Sequence, residues 1–181
     1  MPFIKLKANG TVHTYPYSIQ ALRADNPDTS FPDNLSSSTD LASFRVYAVQ
    51  PSERPQYNAN THVVTEATPV LVAGVWTQQW TVNALESSVA AARIQTSVVQ
   101  AVQQRLDTFA QTANYDSILS ACTYATSAVP KFAAEGQRAV NLRDATWNAL
   151  YGILADVQAG NRVVTSYSDI EGDLPLLSWT A

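Results

Sequence analysis

The sequence is poor in charged side chains, in cysteine and in long apolar runs. Charged residues make up only 14% of its 181 residues, and the formal net charge is −4. Such a chain has no electrostatic basis for binding nucleic acid or an anionic membrane surface. No apolar run approaches the roughly 18 residues that cross a bilayer, and the first residues lack the apolar stretch of a signal peptide. We therefore expect no nucleic-acid binding, no membrane insertion and no secretion by the usual route.

The chain has one cysteine, Cys122, which excludes an internal disulfide and a cysteine-rich metal site. It follows Ile118 by four positions in a helical pattern. Because free cysteines are usually buried, the sequence predicts a structural thiol in a core. An intermolecular disulfide between Cys122 and a partner chain is the alternative.

Catalytic and metal-binding motifs are also missing. The sequence has no nucleophile elbow, no glycine-rich phosphate loop and no H-E-x-x-H helix. His13 and His62 have neither a carboxylate nor a second histidine at ligand spacing. The acidic group Asp169, Glu171 and Asp173 lacks the other ligands and the following helix of an EF-hand, so it indicates a solvated turn. We predict a protein that is not an enzyme and that holds no cofactor and no metal.

The sequence does contain a long run without proline or glycine, from Val82 to Ala113. Alanine, glutamine and arginine favour a helix there, Asn83 is placed to cap its first amides, and Glu86 lies in its first turn. We therefore predict one long helix. Its apolar residues form two stripes at helical spacing: Val82, Leu85, Val89 and Ala92, followed by Ile94, Val98, Val102, Leu106 and Phe109.

Two apolar stripes on one helix have two interpretations. The helix either lies between its own neighbours in a bundle, or it also pairs with copies of itself, as in a coiled coil. Small residues such as Ala90, Ala91 and Ala101 would allow close approach. The heptad repeat is not strict, so self-association through this helix is a hypothesis.

Residues 1–82 are predicted to form a small β-rich module. Asn9-Gly10 is a strong hairpin signal, and Ser18 can cap a short helix that follows. Residues 62–72 and 75–82 are predicted strands that turn at Ala73-Gly74, and Pro69 should break the first of them or place it at a sheet edge. Alternation in the second strand predicts a buried face with two tryptophans, Trp76 and Trp80.

Residues 83–160 are predicted to form an antiparallel helical module, and residues 161–181 an extended tail. Two further helices are expected, at 115–126 and from Pro130 to Ala159, with short connections that make neighbours pack together. The tail is apolar and too short for a core of its own, so it should lie on this subunit or on a neighbour. The overall class is α+β. The predicted core stripe of the last helix is Phe132, Val140, Trp147, Leu150, Tyr151, Leu154 and Val157.

Two stretches carry a resemblance to a known family. Residues 17–32 (YSIQALRADNPDTSFP), with 41–44 and 46–49, resemble the amino-terminal domain of small proteins encoded among bacteriophage tail genes. Residues 109–125 (FAQTANYDSILSACTYA), with 145–147, resemble the helical half of tail-fibre and baseplate-associated proteins. The family pattern T-R-x-Y-D has an arginine shortly before a tyrosine-aspartate pair. This chain has Ala113 in the place of that arginine, followed by Asn114 and the pair Tyr115-Asp116.

The resemblance implies a structural virion component, either a tail fibre or a baseplate-attached appendage. Such a protein is made in the host cytoplasm and resides in the virion. Its partners would be other tail or baseplate proteins, further copies in a homotrimer and a host surface receptor. Because fibres are commonly trimers, the resemblance implies that the two-striped helix forms a trimeric coiled coil. A tail-fibre assembly chaperone, absent from the finished particle, is the alternative. A glycan-depolymerising enzyme is a third hypothesis, but it would need paired carboxylates on a rigid scaffold.

The two apolar regions of the helical module and tail supply the predicted interface. A weakly charged chain with an over-long two-striped helix, an edge strand near Pro69 and an apolar tail has more surface suited to association than one small fold requires. The predicted interface residues are Leu85, Val89, Ile94, Val98, Val102, Leu106, Phe109, Leu176, Leu177 and Trp179.

Overall fold

The computed structural model describes residues 2–32, 35–36 and 39–179. It confirms the mixed α+β class. The chain divides into two compact units, Met1–Ala84 and Leu85–Ala181. None of the helices in the described ranges combines the length and the apolar character that a bilayer span requires.

The first unit begins with the predicted hairpin. Strands β1 (Phe3–Leu6) and β2 (Val12–Tyr17) pair antiparallel, and β1 also pairs with β3 (Val46–Ala48), which gives the order β2-β1-β3. The turn between β1 and β2 contains Gly10 with φ of 80°, a conformation that favours glycine.

Helix α1 (Ile19–Asp25) follows β2 and covers the small sheet. As predicted, Ser18 caps it, because the serine hydroxyl accepts a hydrogen bond of 3.0 Å from the backbone N–H of Ala21. A single 3₁₀ turn, Ala42–Phe44, precedes β3. These elements enclose a compact core of Phe3, Tyr17, Leu22, Leu41 and Val46.

The longest strands of the unit, β4 (His62–Val72) and β5 (Val75–Ala84), form a separate two-stranded ribbon. Its two-residue turn has positive φ at both central residues, 49° at Ala73 and 83° at Gly74, as in a type I′ turn. The pairing register shifts between Ala67 and Val70, on either side of Pro69. Because proline has no N–H to donate, a break in the ladder at that point is expected.

A neighbouring segment covers part of β5. Gln50 forms an isolated parallel bridge with Thr77, and the Trp80 indole donates to the carbonyl of Ser52 at 3.4 Å. Trp76 and Trp80 are consequently half-buried, less covered than the sequence predicts.

The second unit contains helices α2 (Ser87–Gln111), α3 (Ile118–Thr123) and α4 (Pro130–Gln158). The prediction that the long helix begins at Val82 is wrong, because β5 continues through Ala84. Asn83 therefore pairs with Val63 in the ribbon instead of capping a helix, and Glu86 occupies the N-cap.

The other helix ends follow ordinary capping chemistry. Asn114 adopts φ of 65° after α2, and Gly160 adopts φ of 76° after α4. Helix α3 begins later than predicted, because the hydroxyl of Ser117 accepts the backbone N–H of Ser120 and so caps it. A 3₁₀ turn, Tyr124–Thr126, leads on towards α4.

The core of this unit has two parts. One part joins α2, α4 and the carboxy-terminal segment, and the other joins α2, α3 and α4. The buried members of the first part are Val98, Val102, Leu150, Ile153, Ile170 and Leu174. The buried members of the second part are Leu106, Ala110, Ile118, Ala121 and Ala139.

The buried face of α4 is offset from the predicted stripe. Leu150 is buried as predicted, but Phe132 is 40% exposed and Tyr151 is 63% exposed. Small residues at Gly136 and Ala139 occupy the contact face instead, because the turn after α3 packs directly on the helix backbone there. The buried residues of α4 are Gly136, Ala139, Leu142, Thr146, Leu150 and Ile153.

Residues 161–179 pack on their own unit through two 3₁₀ turns, Tyr167–Asp169 and Glu171–Asp173. The Asp169 carboxylate accepts the backbone N–H groups of Thr165 and Ser166 at 2.8 and 3.0 Å. These hydrogen bonds, that to Thr165 above all, hold the pKa of Asp169 below its usual value.

Candidate interaction surfaces

Three residues of the predicted interface lie inside the second unit. Val98, Val102 and Leu106 are 1%, 0% and 0% exposed, and they contact α3, α4 and the carboxy-terminal segment. Their surfaces are already covered by their own chain. A coiled-coil seam on these residues would require the core of the unit to open.

The aromatic end of the predicted interface is also partly covered by its own chain. The rings of Phe109 and Trp179 stack with centroids 4.5 Å apart, and the Trp179 indole N–H donates to Thr112 Oγ1 at 3.0 Å. Leu177 packs in the same cluster. By contrast, Leu176 is 88% exposed.

Two arginines hold the backbone that carries these tail residues. Arg105 donates to the carbonyl of Pro175 at 2.7 Å, and Arg138 donates to the carbonyl of Ser178 at 2.9 Å. Charge-assisted hydrogen bonds of this length are stronger than neutral ones. The sequence left open whether the tail packs on this subunit or on a neighbour, and these contacts place it on its own subunit in the structure.

The remaining predicted interface residues lie towards the start of α2. Leu85 and Ile94 are half-buried, and Val89 is 43% exposed. Ile94 lines an apolar groove of about 470 Å³, which we call the end groove. Its walls are the first half of α2, the last turns of α4 and the loop after α4: Ser87, Ala90, Ala91, Ile94, Gln95, Val98, Leu154, Val157, Gln158, Val163, Val164 and Thr165.

A second apolar surface lies at the end of the β4–β5 ribbon, beside the predicted edge strand at Pro69, although its residues are not among the predicted interface residues. Val70, Leu71, Val72 and Val75 are 45%, 57%, 51% and 45% exposed. We call these four residues and their turn the hairpin tip. The signal in the sequence is the apolar run V-L-V-A-G-V, which interrupts polar alternation at a turn where solvated side chains are usual.

Two further clefts in the second unit combine aromatic and polar side chains. One, of about 550 Å³, is lined by the tilted pair Trp147 and Tyr151 and by the ion pair of Arg143 with Asp144. The other, of about 460 Å³, is lined by Tyr115, Tyr124, Phe132, Lys131 and Glu135, among others.

Burial raises the pKa of a tyrosine in the second cleft. Tyr115 donates a hydrogen bond of 2.7 Å to Glu135, and burial together with this carboxylate raises the pKa of Tyr115 to about 12. In the first unit, burial and a hydrogen bond to Glu66 raise the pKa of Tyr15 to about 12 as well. Both tyrosines therefore remain neutral donors well above physiological pH.

We expect two tyrosines, Tyr15 and Tyr115, to ionise late in an alkaline titration. Their phenols should lose the proton near pH 12, whereas an unperturbed tyrosine does so near pH 10. Because the folded pKa is the higher one, the stability these groups contribute is complete below pH ~10 and is lost as the pH rises towards 12. Tyrosinate absorbance against pH measures this directly.

The Tyr115→Phe variant should remove one tyrosine from the late group and flatten the stability loss between those pH values. The protein unfolded in denaturant is the reference, since all eight tyrosines should then titrate near pH 10. An unchanged late amplitude in Tyr115→Phe would contradict the assignment.

Cys122 is partly buried and free. Burial raises the pKa of its thiol, which lowers the fraction of reactive thiolate at neutral pH. This environment is typical of a structural thiol. The alternative of an intermolecular disulfide stays a prediction.

The described parts of the chain, 2–32, 35–36 and 39–179, contain no group of three or more His, Cys, Asp or Glu side chains that could hold a metal ion. His13 shares a hydrogen bond with Thr14, and His62 shares one with Thr61. Lys5 pairs with Asp25 beside Tyr17, at the surface of the first unit. This cluster lines none of the clefts described above.

Comparison of the chain with protein-family models, with curated proteins and with solved structures finds no match in any of the three.

Proposed function

We propose that this protein is a structural virion component of a tailed bacteriophage, a tail fibre or a baseplate-attached appendage that acts through protein–protein association. The observation that supports association is the pair of uncovered apolar surfaces, the hairpin tip and the end groove. Exposed apolar patches of this kind mark interaction sites in soluble proteins. The sequence resemblance at residues 17–32 and 109–125 supports the phage tail as the setting.

The contacts within the second unit limit which residues could form a trimer interface. Since Val98, Val102 and Leu106 fill its core, further copies would have to bind through residues that the subunit leaves exposed. Val89, Leu176 and the hairpin tip meet that condition. Association through these surfaces also suits a host receptor or a neighbouring baseplate protein as partner.

Quantitative mass spectrometry of purified, intact particles tests the proposal. We expect the chain at a fixed copy number relative to a baseplate protein of known stoichiometry, and a multiple of three if it is a trimeric fibre. The infected-cell lysate, sampled in parallel, is the control for expression. Abundance in the lysate with absence from particles would overturn the structural role and favour the assembly chaperone.

A further inference from the structure

The hairpin tip presents a compact apolar face. Paired residues of an antiparallel ribbon point to the same side, so the pairs Val70–Thr77 and Val72–Val75 place three valines on one face. Each valine is about half exposed. A two-residue turn flanked by three half-exposed valines is narrow enough to enter a groove.

The end groove has the size for such an insertion. Its volume is about 470 Å³, whereas a cavity of about 150 Å³ holds one benzene molecule. It therefore has room for about three side chains of valine or leucine size. Its lining includes the exposed residues Gln95, Gln158 and Thr165 and the buried Val98.

Neither surface carries a charge. The chain has no charged residue from Ala67 to Leu85, and none of the residues lining the end groove is charged. Burying the two surfaces against each other therefore leaves no charge without water. Depletion of charge is the compositional feature of interface cores.

The tip residues are available to a second copy. Val70, Leu71, Val72 and Val75 are 45–57% exposed in the single chain, so they are not covered by it. Every copy carries both the tip and the groove, so two copies can supply the two sides of one contact.

We infer that the hairpin tip of one copy inserts into the end groove of a second copy, forming a head-to-tail contact between identical chains. The contact buries the valine face of the tip between α2, the end of α4 and Val163–Thr165. It rests on the proposed associative function and names the partner and the two surfaces. A contact between different patches closes into a ring or extends into a filament.

Two substitutions separate the two halves of the contact. Val72→Glu places a carboxylate on the tip, and Ala91→Glu places one in the groove at an exposed helix position. Val63→Glu, on the same strand far from the tip, and Ala92→Glu, next on the same helix but outside the groove lining, are the matched controls. All four positions are exposed, so the fold should be retained.

Sedimentation equilibrium over a concentration series is the measurement. We expect the wild-type chain and both controls to exceed the monomer mass of 19.6 kDa, and each test variant to associate about 30-fold or more weakly. Mixing Val72→Glu, whose groove is intact, with Ala91→Glu, whose tip is intact, should give a 1:1 dimer that grows no further. This dimer would also show that both variants are folded.

A wild-type chain that is monomeric throughout the series would overturn the contact, and so would test variants that assemble like the controls. A mixture that stays monomeric would overturn it as well. The mixture contains one intact tip and one intact groove, and the inferred contact requires these two surfaces to bind each other. Particle mass spectrometry is independent of these results. A monomeric chain found at fixed copy number in particles would refute this contact and leave the virion role standing.

Discussion

Replacing Gly136 with alanine is expected to lower the free energy of unfolding of the helical unit by about 3 kcal/mol. A Cβ at this position would lie 2.8 Å from Ala125 Cα and closer still to the backbone of Tyr124 and to the Ala125 amide nitrogen. The obstructing atoms belong to backbone, so no side-chain rotation can relieve the clash. The 3₁₀ turn Tyr124–Thr126 and α4 would have to separate.

Gly152→Ala is the matched control for this prediction. Gly152 lies in the same helix, and a Cβ there would meet nothing within 4 Å. Because alanine is the better helix former, this variant should gain about 0.5–1 kcal/mol. Urea unfolding of the three proteins, followed by circular dichroism, measures both changes. Equal stabilities of Gly136→Ala and Gly152→Ala would refute the close packing of α4 at Gly136.

Local signals in the sequence predict most of the individual elements. Asn9-Gly10 marks the first hairpin, Ser18 caps α1 and Pro130 begins α4, as the structure confirms. Each of these depends on the chemistry of one or two residues and of their immediate neighbours. These local signals do not depend on what the element packs against.

Errors arise where the outcome depends on distant residues. The predicted start of α2 is wrong because Val82 and Asn83 pair with Val64 and Val63 across the ribbon. Helical spacing fits these residues equally well, and only the partner strand decides between the two conformations. The face of α4 was offset for the same reason, since the close approach at Gly136 depends on the turn after α3.

The candidate surfaces also differ in whether a local pattern reveals them or whether they depend on distant residues. Apolar spacing along α2 identifies an extensive apolar face correctly, but the sequence does not reveal that Ile170 and Leu174 cover part of it. The end groove is built from three segments separated in sequence, so no local pattern reveals it. The hairpin tip, in contrast, is one continuous run next to Pro69, where the sequence already indicates an exposed strand edge.

Truncating Leu106 to alanine is expected to lower the free energy of unfolding by about 2–5 kcal/mol. The side chain is fully buried against Ala110, Ile118, Ala121 and Ala139 of its own chain. Removing it leaves a cavity beside three alanines, whose short side chains can fill it only in part. Denaturant unfolding followed by circular dichroism gives the size of the loss.

The same variant separates a core residue from a residue of an oligomer seam. If Leu106 belongs to the core of one subunit, its truncation costs the same free energy at every protein concentration. If Leu106 lies in a seam between copies, mass action makes the cost depend on concentration. Leu119→Ala, at a position 61% exposed on α3, is the control and should change stability by less than about 0.5 kcal/mol. A loss of stability that disappears on dilution would support a coiled-coil seam on α2. A loss of stability that is the same at every concentration would place Leu106 in the core of one subunit, which then associates through its exposed surfaces.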